Sequence, residues 1–301
     1  MNRRNLIEAA MLTAGAAATL AATAEAAPRR ARPATIRTND GLALAYEDWG
    51  SGPPVVLVHS WALQKAMWRQ QIPALTQAGF RVVAYDRRGH GRSDGNGQGY
   101  DMDTLADDLA CVMDQLDLKG AMLVGHSMAA GEIVRYLSRR GAARVARIAL
   151  LAPTTPYLMK TADHPQGGVD PEALARTRAA MTRDFAGAIA DNVGPFFTPD
   201  THPATMRWCV DMLLATPLSV AMATNRAYFE VDFRPDVKAV KLPTLVVQGD
   251  ADASAPLPFT GQRTAEMIAG AQLLVLKGAP HGLFLTHAEA VNRAIIDFAR
   301  S

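Results

Sequence analysis

Residues 121–131 read AMLVGHSMAAG. The apolar run 121–124 predicts a short strand buried on both faces, and the pattern over 130–140 predicts a helix. Between them Gly125, His126, Ser127, Met128 and Ala129 leave room only for a sharp turn with a serine at its apex. A strand–turn–helix of this kind exposes the serine hydroxyl above the sheet edge and needs small residues on either side of it. Gly125 and Ala129 meet that need. The amide of Met128 then opens the following helix, where a backbone N–H can receive an oxygen that becomes negative during acyl transfer. The motif alone also occurs in ordinary glycine-rich turns, so a base and an acid must follow it in the right places.

Working outward from this stretch, apolar runs at 54–58 (PVVLV), 80–85, 147–152, 244–248 and 272–276 predict further strands. Amphipathic patterns over 66–77, 102–116, 261–268 and 288–299 predict helices between and after them. Residues 42–49 (LALAYEDW) alternate apolar and polar side chains, as an antiparallel edge strand would. Unbroken apolar strands alternating with helices imply an α/β fold with a mostly parallel sheet covered on both sides. Reactive groups in such sheets gather at the carboxyl ends of the strands. His59, Ser127, Asp250, Asp252 and His281 all follow such strands.

Residues 156–238 break the alternation with Pro, Gly, Met and short helical stretches at 171–181 and 206–214. They predict a mobile, mostly helical cap inserted into a core made of residues 27–155 and 239–301. Leu158, Phe196, Phe197, Met212 and Leu213 are its candidates for lining a pocket for a small hydrophobic substrate.

The composition sets limits. The chain has 301 residues, 49% of them hydrophobic and 20% charged, enough for a full soluble core. Lys+Arg 31 against Asp+Glu 29 gives no basic surplus that would point to nucleic acid. Two cysteines cannot make a disulfide framework, and both are expected as buried free thiols. No CxxC or HExxH spacing signals a metal. At the N-terminus Arg3-Arg4 leads into a weakly apolar, Ala-rich run ending Ala24-Glu25-Ala26. A basic region, an apolar region and an A-x-A site predict a cleaved export signal over residues 1–26, of twin-arginine type. The mature protein is then expected near Ala27, periplasmic or secreted and with no stable membrane insertion. A cytoplasmic protein with a disordered extension is the alternative.

An acyl-transfer serine needs a base to take its proton and a carboxylate to orient that base, in the chain order serine, acid, histidine on this kind of sheet. After the strand at 244–248 come Gly249-Asp250-Ala251-Asp252, and after that at 272–276 come Gly278-Ala279-Pro280-His281-Gly282. His281 is the candidate base, and Asp252 and Asp250 are both candidate acids.

With these residues in view the chain resembles the α/β-hydrolase family over essentially all of residues 33–301. Within it, the sequence is similar to the cofactor-free (non-haem) haloperoxidases and aryl esterases. The resemblance rests on His59-Ser60-Trp61 with Trp68 downstream, on Asp86-Arg87-Arg88-Gly89-His90-Gly91-Arg92-Ser93, on the 125–129 turn, and on the paired GDAD and APHG endings. It implies the α/β-hydrolase fold, no metal or other cofactor, and a small-molecule ester as the partner. The family's Gly-x-x-Asp-x-x-x-Pro pattern matches Gly249, Asp252 and Pro256, which assigns the acid to Asp252 and makes Asp250 a loop residue. By the same resemblance the amide of Trp61 joins that of Met128 as the oxyanion hole. The expected activity is hydrolysis of small carboxylic esters through an acyl-enzyme on Ser127, His281 and Asp252. Relatives can pass the acyl group to hydrogen peroxide instead of water. The common His-Gly-Trp-Pro stretch of that family carries Ser60 and Ala62 here, and Ala129 stands where glycine is usual. Hydrolysis is therefore expected ahead of perhydrolysis.

Other readings of the same residues remain. A lactonase or a carbon–carbon bond hydrolase would use the same three side chains, and a non-catalytic ligand receptor could keep them. Dehalogenases and epoxide hydrolases of this fold carry aspartate at the turn, where this chain has Ser127. The stretch 89–99 lacks the third glycine of a dinucleotide fingerprint and any Walker lysine, and reads as a structural turn. His126 is expected to pack beside the turn, and His90, His164, His202 and His287 to face solvent or loops.

Overall fold

The computed structural model describes residues 33–301; the expected export signal over 1–26 lies outside the described residues. The central sheet contains β3 (Tyr46–Trp49), β4 (Pro54–Val58), β5 (Arg81–Tyr85), β6 (Ala121–His126), β7 (Val145–Leu151), β8 (Thr244–Gly249) and β9 (Gln272–Leu276). Its order is β3-β5-β4-β6-β7-β8-β9, with every neighbouring pair parallel except β3 against β5. A short ribbon of β1 (Ile36–Arg37) and β2 (Ala43–Leu44) stands apart.

Successive side chains of a strand point to opposite faces, and the core follows that rule. Val56, Val58, Val83, Tyr85 and Leu123 join one apolar cluster with α2 (Met102–Gln115) and α3 (Ala129–Arg140). Val55, Leu57, Val82, Ala84, Met122 and Val124 join the other, with α1 (Gln71–Gln77) and α11 (Ala288–Arg300). Each fully buried Val or Leu contributes roughly 1.5–3 kcal/mol relative to exposure, so the double cover holds the central strands in place. Cys111 and Cys209 are free and buried, as the composition implies.

Three local departures from the sequence pattern have physical causes. The alternating run at 42–49 forms two strands, because Ala45 turns aside: its N–H donates to Ser93 Oγ at 2.9 Å and its carbonyl accepts the Asp86 amide at 2.8 Å. The expected helix over 66–77 begins as a 3-10 segment, Lys65–Gln70, and becomes α-helical only at Gln71. Pro73 has no N–H to close an α-helical bond backward, so it sits in the first turn of a new helix where none is needed. The run at 272–276 is the edge strand β9, and Leu273, Leu274 and Val275 are 36–42% exposed rather than covered.

Between β7 and β8 lie α4 (Pro171–Arg183), α5 (Phe185–Asn192), α6 (Pro203–Leu214), α7 (Leu218–Glu230) and α8 (Arg234–Ala239). Asp170 caps α4 by accepting the amides of Glu172 and Ala173, and Pro171 occupies the first turn.

The turn after β8 is brought against the turn after β9 by a close approach at Gly249. A Cβ built there would lie 1.8 Å from the Ala279 carbonyl oxygen. Gly249→Ala is therefore expected to force these two turns apart. The cost should be roughly 1–3 kcal/mol, read as a lower urea midpoint and melting temperature; an unchanged midpoint would show that the approach is slack.

Candidate active site

The turn at Ser127 is held by its own packing. Ser127 has φ 59°, a left-handed conformation that costs a residue with a side chain energy unless its surroundings enforce it. They do so here. The Ser127 amide donates to Leu151 O at 2.9 Å, and its carbonyl accepts the Ala130 amide at 3.0 Å. A Cβ at Gly125 would lie 2.6 Å from Ile133 Cδ1 and 3.0 Å from Ala129 Cβ. The small residues on either side of the serine are thus a steric requirement of β6 meeting α3.

His281 follows β9 and Asp252 follows β8, and both reach the same rim. His281 Nε2 lies 2.9 Å from Ser127 Oγ, and His281 Nδ1 lies 2.7 Å from Asp252 Oδ2. Ser127, Asp252 and His281 are each 5% exposed. The Asp252 carboxylate also accepts the Ser254 amide at 2.9 Å, the Ala255 amide at 2.8 Å and Gln248 Nε2 at 2.8 Å. Those donors fix its orientation, so His281 carries its proton on Nδ1 and turns the Nε2 lone pair to the serine. A neutral imidazole held this way can accept the hydroxyl proton. Asp250 faces elsewhere: Asp250 Oδ1 accepts the Gly278 amide at 2.6 Å and ties the two turns together.

The loop after β4 supplies the facing wall. The Thr216 hydroxyl donates to Ala62 O at 2.9 Å, and Trp61 Nε1 donates to Ala221 O at 2.8 Å, so the helices inserted after β7 hold this loop. The backbone amides of Trp61 and Met128 have no acceptor among the described residues. Trp61, Ser127 and His281 line one cavity of about 330 Å³, at the small end of the range for ligand pockets.

Of the apolar residues picked from the sequence, Phe196 and Leu213 line this cavity. Leu158, Phe197 and Met212 do not, and that expectation is corrected. All three are buried, Phe197 and Met212 in the core cluster on one face of the sheet. Met212 and Leu213 are neighbours on α6, about 100° apart around the helix; Leu213 lines the cavity while Met212 is buried in the core cluster. Leu174 and Met181 on α4, with Ile189 and Tyr228, line it as well. The i, i+7 spacing of Leu174 and Met181 was the available signal for them.

A family model described as alpha/beta hydrolase fold matches residues 53–288. The chain belongs to the α/β-hydrolase family. It is 36% identical over 277 residues to a non-heme chloroperoxidase of Streptomyces lividans, covering 89% of this chain and 99% of that protein. Among solved structures it is similar to a bromoperoxidase from Bacillus anthracis, at 34% identity and TM-score 0.84, over 87% of this chain and 96% of that one. It is also similar to an esterase from Exiguobacterium antarcticum, at 27% identity and TM-score 0.85, over 89% and 99%. Within the family the chain sits with the non-haem haloperoxidases and esterases.

Several buried polar residues lie beneath the site. His126 does pack beside the turn: its Nε2–H donates to the His281 carbonyl at 2.8 Å and steadies the backbone of that residue. His90 does not face solvent. It is 1% exposed, its Nδ1–H donates to Arg88 O at 2.9 Å, and its ring lies 5.1 Å from that of His59. The glycine-rich turn that carries it is folded onto the buried Asp86 carboxylate, which accepts the amides of Lys65 and Arg92 and pairs with Lys65 Nζ at 2.7 Å.

Burial, with the Arg87 charge nearby, pushes His90 down to about 3. Burial followed by Arg87 pushes His59 well down, and burial followed by His281 does the same to His126. The unfolded chain takes these protons near pH 6.5 and the native one does not, so the stability linked to them is whole above about 6.5 and is lost as pH falls below it, for His90 down to about 3. His90 should remove about 1.4 kcal/mol per pH unit within its window, and His59 and His126 act in the same direction below about pH 6.5. Urea midpoints are expected to hold from pH 7.5 to about 6.5 and then to fall toward pH 5; a series flat to pH 5 would mean the folded protein accepts the protons.

Proposed function

We propose that this protein is a serine hydrolase that cleaves small carboxylic esters through an acyl-enzyme. The observation that carries the reading is the hydrogen-bonded chain from Ser127 Oγ through His281 to Asp252 at 2.9 and 2.7 Å, opening into the cavity. Ser127 Oγ attacks the ester carbonyl carbon while His281 Nε2 takes its proton. Negative charge gathers on the former carbonyl oxygen, facing the amides of Trp61 and Met128. Such donors each contribute roughly a hundred- to a thousandfold in rate. The C–O bond to the alcohol then breaks, and the alcohol leaves with the proton from His281. Water gives a proton to His281 and its oxygen attacks the acyl carbon; the C–Oγ bond then breaks, His281 returns the proton to Ser127 Oγ, and the acid leaves. Asp252 holds the imidazole tautomer throughout and balances its transient charge.

We rank hydrolysis ahead of transfer to peroxide because the loop carrying the Trp61 amide departs from the haloperoxidase pattern. Ala62 stands where the His-Gly-Trp-Pro stretch has proline, and its φ is 51°. The proline ring holds φ near −65°, so the loop carrying the Trp61 amide follows a path here that a proline-containing loop cannot.

Ser127→Ala is expected to leave a folded protein whose kcat for p-nitrophenyl acetate falls by roughly a thousandfold or more, and to abolish covalent labelling by a fluorophosphonate. A wild-type protein that neither turns over esters nor takes the label would instead be a ligand receptor on this scaffold.

We also infer export of the chain, on the Arg3-Arg4 segment and the Ala24-Glu25-Ala26 site. Sequencing the N-terminus of the periplasmic or secreted form should read from near Ala27, and an intact Met1 in the cytoplasmic fraction alone would refute it.

A further inference from the structure

The peptide unit joining Ser60 to Trp61 is gripped from behind by buried side chains. The Ser60 carbonyl accepts the Nδ1–H of His59 at 2.8 Å and Nη1–H of Arg87 at 3.2 Å. The His59 tautomer is decided by its other nitrogen. Nε2 lies 3.0 Å from the Arg87 backbone amide, which can only donate, so Nε2 accepts and Nδ1 carries the proton; the 3.0 Å approach of Arg87 Nη1 to Nδ1 is then donor beside donor, both aimed at the Ser60 carbonyl, and not a hydrogen bond. Arg87 is in turn fixed by Glu132, whose carboxylate takes Arg87 Nε on one oxygen and the Tyr85 hydroxyl on the other. Glu132, Tyr85 and His59 are fully buried and Arg87 is 1% exposed. Three elements meet in this network: the loop after β4, the turn after β5, and the first turn of α3 beginning just past Ser127.

A trans peptide is planar, with its C=O and N–H pointing opposite ways. The Ser60–Trp61 bond is not among the cis bonds of the described residues. Holding its carbonyl inward therefore turns its N–H outward, on the side of the cavity lined by Trp61, Ser127 and His281. Two donors on the carbonyl, one of them cationic, also polarise the whole amide and make its N–H a stronger donor.

Resting on the ester-hydrolase reading above, we propose that Arg87, seated on Glu132 and assisted by His59, is the positioning residue that aims and strengthens the Trp61 amide toward the oxyanion. A buried Arg–Glu pair is a weak source of stability against an apolar pair of similar size. A geometric task of this kind accounts for charges so deep beneath the site. Because Glu132 lies five residues after Ser127 on α3, the same helix that presents the nucleophile anchors the facing donor.

Arg87→Lys keeps the charge but cannot span Ser60 O and Glu132 together, and the pair Arg87→Met/Glu132→Met removes both charges at similar volume. For each, kcat for p-nitrophenyl acetate should fall roughly tenfold to a hundredfold, a fraction of what losing the donor outright costs, with KM changed less than about threefold. Affinity for a boronic acid that forms a tetrahedral adduct on Ser127 should fall in parallel. The lysine variant should lie between the wild type and the paired variant. The amide proton of Trp61, followed by NMR in the unliganded protein, should move upfield in Arg87→Lys. A folded paired variant whose kcat and boronate affinity stay within twofold of wild type overturns the proposal. If that variant does not fold, Arg87→Lys decides on the same readouts. A Trp61 resonance that does not move overturns the proposal whatever the protein does with esters. Failure of the hydrolase reading would appear separately, as a wild type without ester turnover.

Discussion

Ser127 holds a left-handed backbone because the strand before it and the helix after it are both locked into the sheet's core, and the site's geometry follows from that one angle. β6 is buried along its whole length, and α3 packs its apolar side onto the same cluster. Their junction leaves one residue to turn the chain, at φ 59°. The strain, of order 1–3 kcal/mol, is set against the burial of many apolar side chains, each worth a comparable amount. Gly125 and Ala129 sit in a close junction, and a side chain at Gly125 would meet Ile133 and Ala129. The hydroxyl is lifted above the rim, where the turns after β8 and β9 can reach it.

Those turns reach it because the sheet is parallel. Parallel strands deliver all their carboxyl ends to one edge, so residues 127, 252 and 281 come together although long stretches of chain separate them. Gly249 lets the last two turns approach, Asp250 ties them by the Gly278 amide, and Gln248 sets the Asp252 carboxylate. The helices inserted after β7 hold the loop after β4 through Thr216 and Ala221 and also wall the cavity. One side of the site is thus rigid sheet edge, and the other is assembled by contacts between distant segments.

Burial divides the histidines more sharply than the sequence suggests. His59, His90 and His126 sit where no charge is tolerated, each with a backbone carbonyl taking one ring N–H. His281 alone among the buried four is placed between a carboxylate and the serine hydroxyl. The neutral His126 ring lies 4.9 Å from that of His281 and clamps its backbone, so the two do not compete for the same proton.

The unbroken apolar runs, the glycine and alanine around Ser127 and the order of serine, aspartate and histidine were legible in the sequence. Each is imposed by local chemistry: a doubly buried strand admits no polar side chain, and a tight turn admits no large one. The edge exposure of β9 and the split at Ala45 were not legible, because a run of apolar letters carries no record of its neighbours. The cavity lining was half legible. Helical spacing points to one side of α6, but it cannot say whether Met212 or Leu213 faces the substrate. What the sequence by itself determined was the α/β architecture and which residue types must stand at the strand ends. The family pattern already pointed to Asp252 over Asp250, and the 2.7 Å contact with His281 agrees with it; only the tertiary structure decided that His90 is buried and that Arg87 and Glu132 grip the Ser60 carbonyl. Those outcomes depend on distances between segments remote in the chain, which pairwise burial and backbone geometry set and no local pattern encodes.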